Sequence, residues 1–138
     1  MPPGPALDAG CGSGLLSQAW AASGYGPVVG CDLDGHALTQ AHDSAAIAGL
    51  DTLIEFRRIG LERIDGRLLR GRVLLANVPV QAHRALIERI AEPPPGVVLS
   101  GLRVNQVGAI VDRYRALGLR QVRLSYAGRF CASALVRG

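Results

Sequence analysis

Three groups of residues in this sequence have types and spacing that could do chemistry: the run Asp8-Ala9-Gly10-Cys11-Gly12-Ser13-Gly14, the acid Asp32, and Asn77. Glycine reaches positive φ and carries no Cβ, so a loop with glycines at alternate positions lets a ligand approach its backbone. Such a loop carries meaning only between a strand and a helix, where the helix start adds unpaired N–H groups. Asp32 follows an apolar run, and at the end of a second strand its carboxylate could accept hydrogen bonds from both hydroxyls of a ribose. The chemistry expected is the binding of a nucleoside.

Spacing and charge narrow the choice of nucleoside. Dinucleotide loops place their glycines as G-x-G-x-x-G and leave room for a pyrophosphate. Here they fall at 10, 12 and 14, and Leu15 occupies the place of the third dinucleotide glycine. Asp8 would repel a pyrophosphate, whereas the ammonium of a methionine moiety would be attracted to it. Spacing and charge favour S-adenosylmethionine as the expected cofactor over NAD, with a nicotinamide-binding Rossmann domain as the lesser alternative. Methyl transfer from a sulfonium needs orientation and exclusion of water more than it needs a strong base. Asn77, placed at the carboxyl end of a fourth strand, could accept a hydrogen bond from an amine nucleophile through its side-chain carbonyl. It could equally cap a helix starting at Val80, and the residues alone leave both readings open. His83, a turn into that helix, is expected to face solvent. His36 and His42 have no cysteine or carboxylate at metal spacing and read as surface residues, so no metal site is expected.

The elements that must hold these residues alternate in the manner of an α/β protein. Ala6–Ala9, Val28–Cys31, 53–58, 73–76 and 97–100 read as strands. Between them, 15–23, 35–48 and 80–90 read as helices, with Leu15, Leu16, Ala19 and Trp20 turned inward on the first. On the second, Leu38, Ala41, Ala45 and Ala48 face inward, and Asp34 is its expected N-cap. Residues 61–69 form a short helix or a loop. The clearest helical period is 105–117, with Val107, Ile110, Val111, Tyr114 and Leu117 on one stripe. Residues 121–126 and 129–136 close the chain as a hairpin. The fold class expected is a Rossmann-like, seven-stranded, mostly parallel sheet with helices on both faces and a C-terminal antiparallel hairpin. Residues 1–138 read as one domain.

The 138 residues are 49% hydrophobic and 19% charged, which excludes a disordered chain and favours a core of Leu, Val, Ile and Ala. All 15 basic residues are Arg, giving a net charge of +4. The arginines are dispersed without interleaved aromatics, which argues against a nucleic-acid partner. Cys11, Cys31 and Cys131 form neither an even disulfide set nor a metal spacing. No apolar run is long enough to cross a bilayer and no signal segment is evident, so a cytoplasmic setting is expected.

Leu7-Asp8-Ala9-Gly10-Cys11-Gly12-Ser13-Gly14 followed by Val29-Gly30-Cys31-Asp32-Leu33-Asp34 resembles the first two motifs of class I S-adenosylmethionine-dependent methyltransferases. Leu75-Ala76-Asn77, Leu99-Ser100-Gly101-Leu102 and Gly128-Arg129-Phe130 are similar to the catalytic domain of bacterial ribosomal protein L11 methyltransferases, without their N-terminal domain. The resemblance implies that Asp8 and the loop amides of Gly10, Cys11 and Gly12 hold the methionine end. It also implies that Asp32 takes the ribose, that Leu33 lies against the adenine, and that Asn77 borders both the methyl group and the acceptor. The implied reaction is methyl transfer to an amine or other nucleophile of a protein, ribosomal proteins included, or of a small molecule. The chain departs from related amine methylases at Asn77-Val78-Pro79-Val80, which lacks a second proline and an aromatic, and at Gly60-Leu61 near the adenine. A non-catalytic cofactor-binding remnant, or a truncated domain acting as a partner subunit, is the alternative. Oligomeric state is not legible.

Overall fold

The computed structural model describes residues 1–138. Its elements are β1 (Ala6–Ala9), α1 (Leu15–Ala22), β2 (Val28–Cys31), α2 (Gly35–Ile47), β3 (Ile54–Arg57), a 3₁₀ turn (Leu61–Arg63), α3 (Gly66–Leu69), β4 (Val73–Asn77), α4 (Val80–Glu88), β5 (Gly96–Arg103), α5 (Val104–Ala116), β6 (Leu119–Ala127) and β7 (Phe130–Arg137). One seven-stranded sheet runs in the order β3-β2-β1-β4-β5-β7-β6. The pairs among β1 to β5 are parallel, and β7 lies antiparallel between β5 and β6. This is the Rossmann-like sheet and terminal hairpin that the alternation of elements implied.

β1 and β2 are buried at every position, as strands covered by helices on both faces must be. The period of two divides their side chains between two cores. Leu7, Ala9, Val29, Cys31, Leu74 and Ala76 pack with residues of α4 and α5 on one face. Ala6, Val28, Val73 and Leu75 pack on the other with Trp20 and Ala21 of α1 and Ala45 of α2. The stripe expected on α5 is observed, with Val107, Ile110, Val111 and Tyr114 buried.

Two helices differ in rotation or length from the sequence reading. On α1 the buried residues are Ser17, Trp20 and Ala21, whereas Leu15 is 77% exposed and Ala19, also expected inward, is exposed. Polar contacts set this rotation: Ser17 bonds to Asp8, and Trp20 Nε1 donates to the Gly4 carbonyl at 2.8 Å. α2 ends at Ile47, and Ala48, expected to face inward, is exposed. Its cap is as expected, with Asp34 Oδ1 accepting from His36 N–H at 3.0 Å and Ala37 N–H at 3.3 Å.

Tyr114 is fully buried, and its hydroxyl has no hydrogen-bond partner. Burial pushes its pKa up, with the Arg113 charge working in the opposite direction. A buried hydroxyl without a partner loses its hydration and gains nothing. Tyr114→Phe is therefore expected to raise unfolding free energy by about 1 kcal/mol, measured by urea denaturation. A loss of stability on that substitution would show that the hydroxyl is partnered in solution.

Candidate functional site

β1 pairs with β2 on one side and with β4 on the other, so the strand order reverses there. Connections leaving such a switch point depart over opposite faces and open a crevice at the carboxyl edge of the strands. The fold brings Asp8 on β1, Asp32 just beyond β2 and Asn77 at the end of β4 to this one edge.

Asp8 is 1% exposed, and its Oδ2 accepts from Ser17 N–H at 3.0 Å and Ser17 Oγ–H at 2.6 Å. The N-cap of α1, Gly14, has no side chain to bond the first turn, so Asp8 supplies that acceptor from the neighbouring strand. Beyond Asp8 the loop is tied to β2. Cys11 N–H donates to the Cys31 carbonyl at 2.8 Å, and Gly12 N–H donates to Asp32 Oδ2 at 2.8 Å. Asp32 Oδ1 accepts from Asp34 N–H at 2.9 Å.

Two amides that the sequence reading turned toward a ligand, those of Cys11 and Gly12, therefore hold the loop in shape. Each Asp32 oxygen keeps acceptor capacity beyond its one bond. Gly10 answers to packing, because a Cβ there would lie 2.8 Å from Val78 Cγ1. Gly12 differs: at φ 54° a Cβ would meet nothing within 4 Å, so the space over the loop is open. Beside it Leu33 is 57% exposed, an apolar side chain suited to a flat ring.

Burial pushes the Asp8 carboxyl up to about 6, opposed by its two Ser17 bonds and reinforced by the nearby Asp32 charge. Burial likewise pushes the Cys11 thiol up to about 12 and the Cys31 thiol up to about 11. Both thiols stay protonated at neutral pH and serve packing, not nucleophilic attack. The open carboxylate of Asp32, the buried charge of Asp8 behind it, an open glycine loop and an exposed leucine suit a cation that carries hydroxyls and an apolar ring.

Asn77 occupies the other side of the crevice. It is exposed, and its amide is not used in capping, because the N-cap of α4 is Pro79 with no side-chain bond. The capping alternative therefore falls away. Two clefts meet at Asn77, Gly101 and Phe130: one of about 400 Å³ bounded by Ser125 and Tyr126, and one of about 530 Å³ bounded by Pro79 and Arg103. Gly101 lies in an irregularity of β5 between Leu99 and Leu102, at φ 78°. A Cβ on it would stand 2.7 Å from the Val78 carbonyl oxygen and 2.9 Å from Asn77 Oδ1.

His83 is a correction to the sequence reading: it is fully buried, not solvent-facing. Its Nε2 is 2.8 Å from the Ser100 carbonyl, which assigns the ring proton to Nε2 as donor. Burial pulls its pKa down against the opposing backbone contacts of Ser100 and Val78, and its Nδ1 is without a partner. A neutral His83 therefore ties α4 to the irregular part of β5 behind Asn77. The signal was present in the helical spacing, since Val80, His83 and Ile87 fall on one buried stripe. His36 and His42 are exposed, as expected.

Comparison with known proteins places this geometry in context. Residues 3–137 match the family model described as ribosomal protein L11 methyltransferase (PrmA). A ribosomal protein L11 methyltransferase of Syntrophotalea carbinolica is 36% identical over 125 residues, which is 86% of this chain and 39% of that protein. This chain thus spans about two-fifths of the length of that relative. The crystal structure of the ribosomal protein L11 methylase from Lactobacillus delbrueckii subsp. bulgaricus superposes with a TM-score of 0.82 at 24% identity, covering 99% of this chain and 71% of that one. The magnesium protoporphyrin IX methyltransferase of Synechocystis PCC 6803, solved with bound SAM, superposes with a TM-score of 0.71 at 19% identity, covering 99% and 71%. At those identities the structures show a shared fold.

Proposed function

The chain belongs to the ribosomal protein L11 methyltransferase family, and from that premise we propose that it binds S-adenosylmethionine and transfers its methyl group to an amine or other nucleophile. When bound, the cofactor supplies an activated sulfonium methyl; the chain supplies position and dryness. In this reading Asp8 faces the ammonium, Asp32 accepts from the ribose hydroxyls, and Leu33 lies against the adenine. The backbone of Gly10, Cys11 and Gly12 passes beneath the methionine end. Asn77 is the residue assigned to the reaction itself: its Oδ1 would accept a hydrogen bond from an amine nucleophile and orient it at the mouth of the crevice. The acceptor belongs to a protein or a small molecule, and the family's named acceptor, ribosomal protein L11, is the first to test. The setting proposed is the cytoplasm; no helix is long and apolar enough to cross a membrane.

The observation that carries this reading is Asp32, which joins Gly12 to the turn after β2 and retains free lone pairs beside a second carboxylate. S-adenosylhomocysteine at a hundredfold excess over its Kd is expected to raise Tm by roughly 10 °C. Asp32→Ala is expected to abolish that rise, measured against the variant's own ligand-free Tm because Asp32 also holds the loop. No shift at millimolar ligand in the unaltered chain overturns the reading. Binding without turnover on L11 or a ribosomal extract would point instead to the non-catalytic alternative.

A further inference from the structure

The sequence shows no basic stripe, yet the fold gathers one. Residues 57–72 hold six of the fifteen arginines and only two acids, Glu62 and Asp65, a local surplus equal to the net charge of the whole chain, +4. Four of the six, Arg57, Arg63, Arg67 and Arg72, line a cleft of about 570 Å³. It lies beside β3, on the sheet face that carries α4 and α5. Cys31 and Val29 on that face are paired with Arg57 and Glu55. The connection from β3 to β4 turns away from β3 and packs toward α4, where Arg89 Nε donates to the Ile64 carbonyl at 2.7 Å. Glu55 and Arg57 thus stand where an outer strand under a helix would carry apolar side chains, and Glu55 is 61% exposed.

The cleft is built with its charges only partly answered. Arg57 is held by Glu55 at 2.9 and 3.0 Å, and Arg72 Nη1 donates to the Leu68 carbonyl at 2.8 Å. Those two guanidiniums are half-buried and fixed, with donors to spare. Arg63 and Arg67 are exposed and make no ion pair. Asp65, the one acid in the lining, is turned to the first turn of α3, where it accepts from Arg67 N–H and Leu68 N–H. A carboxylate offers two oxygens in a plane and matches one fork. A tetrahedral phosphate offers several oxygens in different directions and can engage more than one guanidinium at once. No aromatic side chain lines the cleft, so nothing there stacks or reads a base. Arg72 immediately precedes β4, at the end of that strand opposite Asn77, whereas Arg57 ends β3 and its carbonyl accepts from Asp32 N–H at 3.2 Å, so the cleft runs along the sheet face from the carboxyl-edge crevice toward the opposite edge.

We infer that the cleft lined by Arg57, Arg63, Arg67 and Arg72 is a phosphate-binding site that adjoins the proposed cofactor crevice at Arg57 and extends away from it. The phosphate comes from an RNA backbone or from a free phosphorylated ligand, and the experiment separates the two. Labelled single-stranded RNA of mixed sequence is titrated with the full chain by fluorescence anisotropy, and pyrophosphate is titrated while the arginine Nε–H signals are followed by NMR. Arg63→Ala with Arg67→Ala is expected to weaken whichever ligand binds by about tenfold or more, and to leave the S-adenosylhomocysteine response unchanged. For RNA, the slope of log affinity against log salt is expected to flatten by about 0.7 for each phosphate that the variant no longer neutralises. Neither residue bonds elsewhere in the fold through its side chain, and Arg120→Ala with Arg123→Ala on exposed β6 is the matched control for removed charge. RNA binding that depends on Arg63 and Arg67 identifies a nucleic-acid source. Pyrophosphate binding without RNA binding identifies a small phosphorylated ligand. The inference is overturned if neither ligand binds, if the control pair weakens binding equally, or if polyglutamate binds as tightly.

Discussion

Asp8→Asn is expected to stabilise the ligand-free chain at pH 8 by on the order of 2 to 3 kcal/mol and to weaken its hold on S-adenosylhomocysteine by about tenfold or more. The carboxyl is buried and pushed up to about 6 from 3.8. As pH rises between those values the unfolded chain releases the Asp8 proton while the folded chain keeps it, so folding stability falls across that window. Above pH 6 the full cost of a buried charge is present, on the order of 3 kcal/mol. The amide keeps an oxygen that can accept both Ser17 bonds and carries no charge. The two proteins should therefore match in stability near pH 4 and diverge by pH 8, which urea denaturation at both values measures. The ammonium of a bound ligand needs the charge that the amide lacks. In the unaltered chain, affinity should accordingly fall about tenfold for each pH unit below 6, as the ligand must displace the Asp8 proton. Equal stability of the two proteins at pH 8 would show that Asp8 is hydrated and has an ordinary pKa.

The second large effect is expected at Gly101. Alanine at φ 78° adds about 1 to 2 kcal/mol of left-handed backbone strain, and its Cβ meets the Val78 carbonyl at 2.7 Å and Val78 N at 3.1 Å. Those neighbours are backbone atoms, so relief requires moving the segment that carries Asn77. Gly101→Ala is expected to cost about 2 to 4 kcal/mol of stability and to lower turnover by about 100-fold. The Tm rise with S-adenosylhomocysteine should persist in reduced form, because Asp32 follows β2 on the far side of β1 from Gly101, whereas Gly10 packs against Val78 and shifts with it. An unchanged Asn77 side-chain amide signal by NMR, with unchanged turnover, would show that the β5 irregularity does not position Asn77.

Local signals in this sequence were legible because their causes are local. The Asp34 cap, the α5 stripe and the strand–loop–helix around Gly10, Gly12 and Gly14 each depend on residues within a turn or two of one another. What stayed hidden depends on contacts across the chain. The rotation of α1 is set by Ser17 reaching Asp8, nine residues away, so the apolar pattern alone turned Leu15 the wrong way. His83 finds its acceptor seventeen residues on, at Ser100, and a polar residue type outweighed its place on a buried stripe. β5 runs through Gly101 to Arg103 because β7 pairs with it beyond the irregularity, a partner that strand composition does not announce. At the crevice, the residues that converge were readable from spacing. That the Cys11 and Gly12 amides brace the loop was not, because their acceptors lie on the next strand.

That bracing bears on how a ligand is received. With Gly12 fastened to Asp32 and Cys11 to Cys31, the receiving contour exists beforehand, and arrival costs the visitor its own tumbling and torsions but little reordering of the host. Amide hydrogen exchange at Cys11 and Gly12 should therefore be slow from the outset and hardly slower once the crevice is filled, a rigid cradle in place of a folding hand.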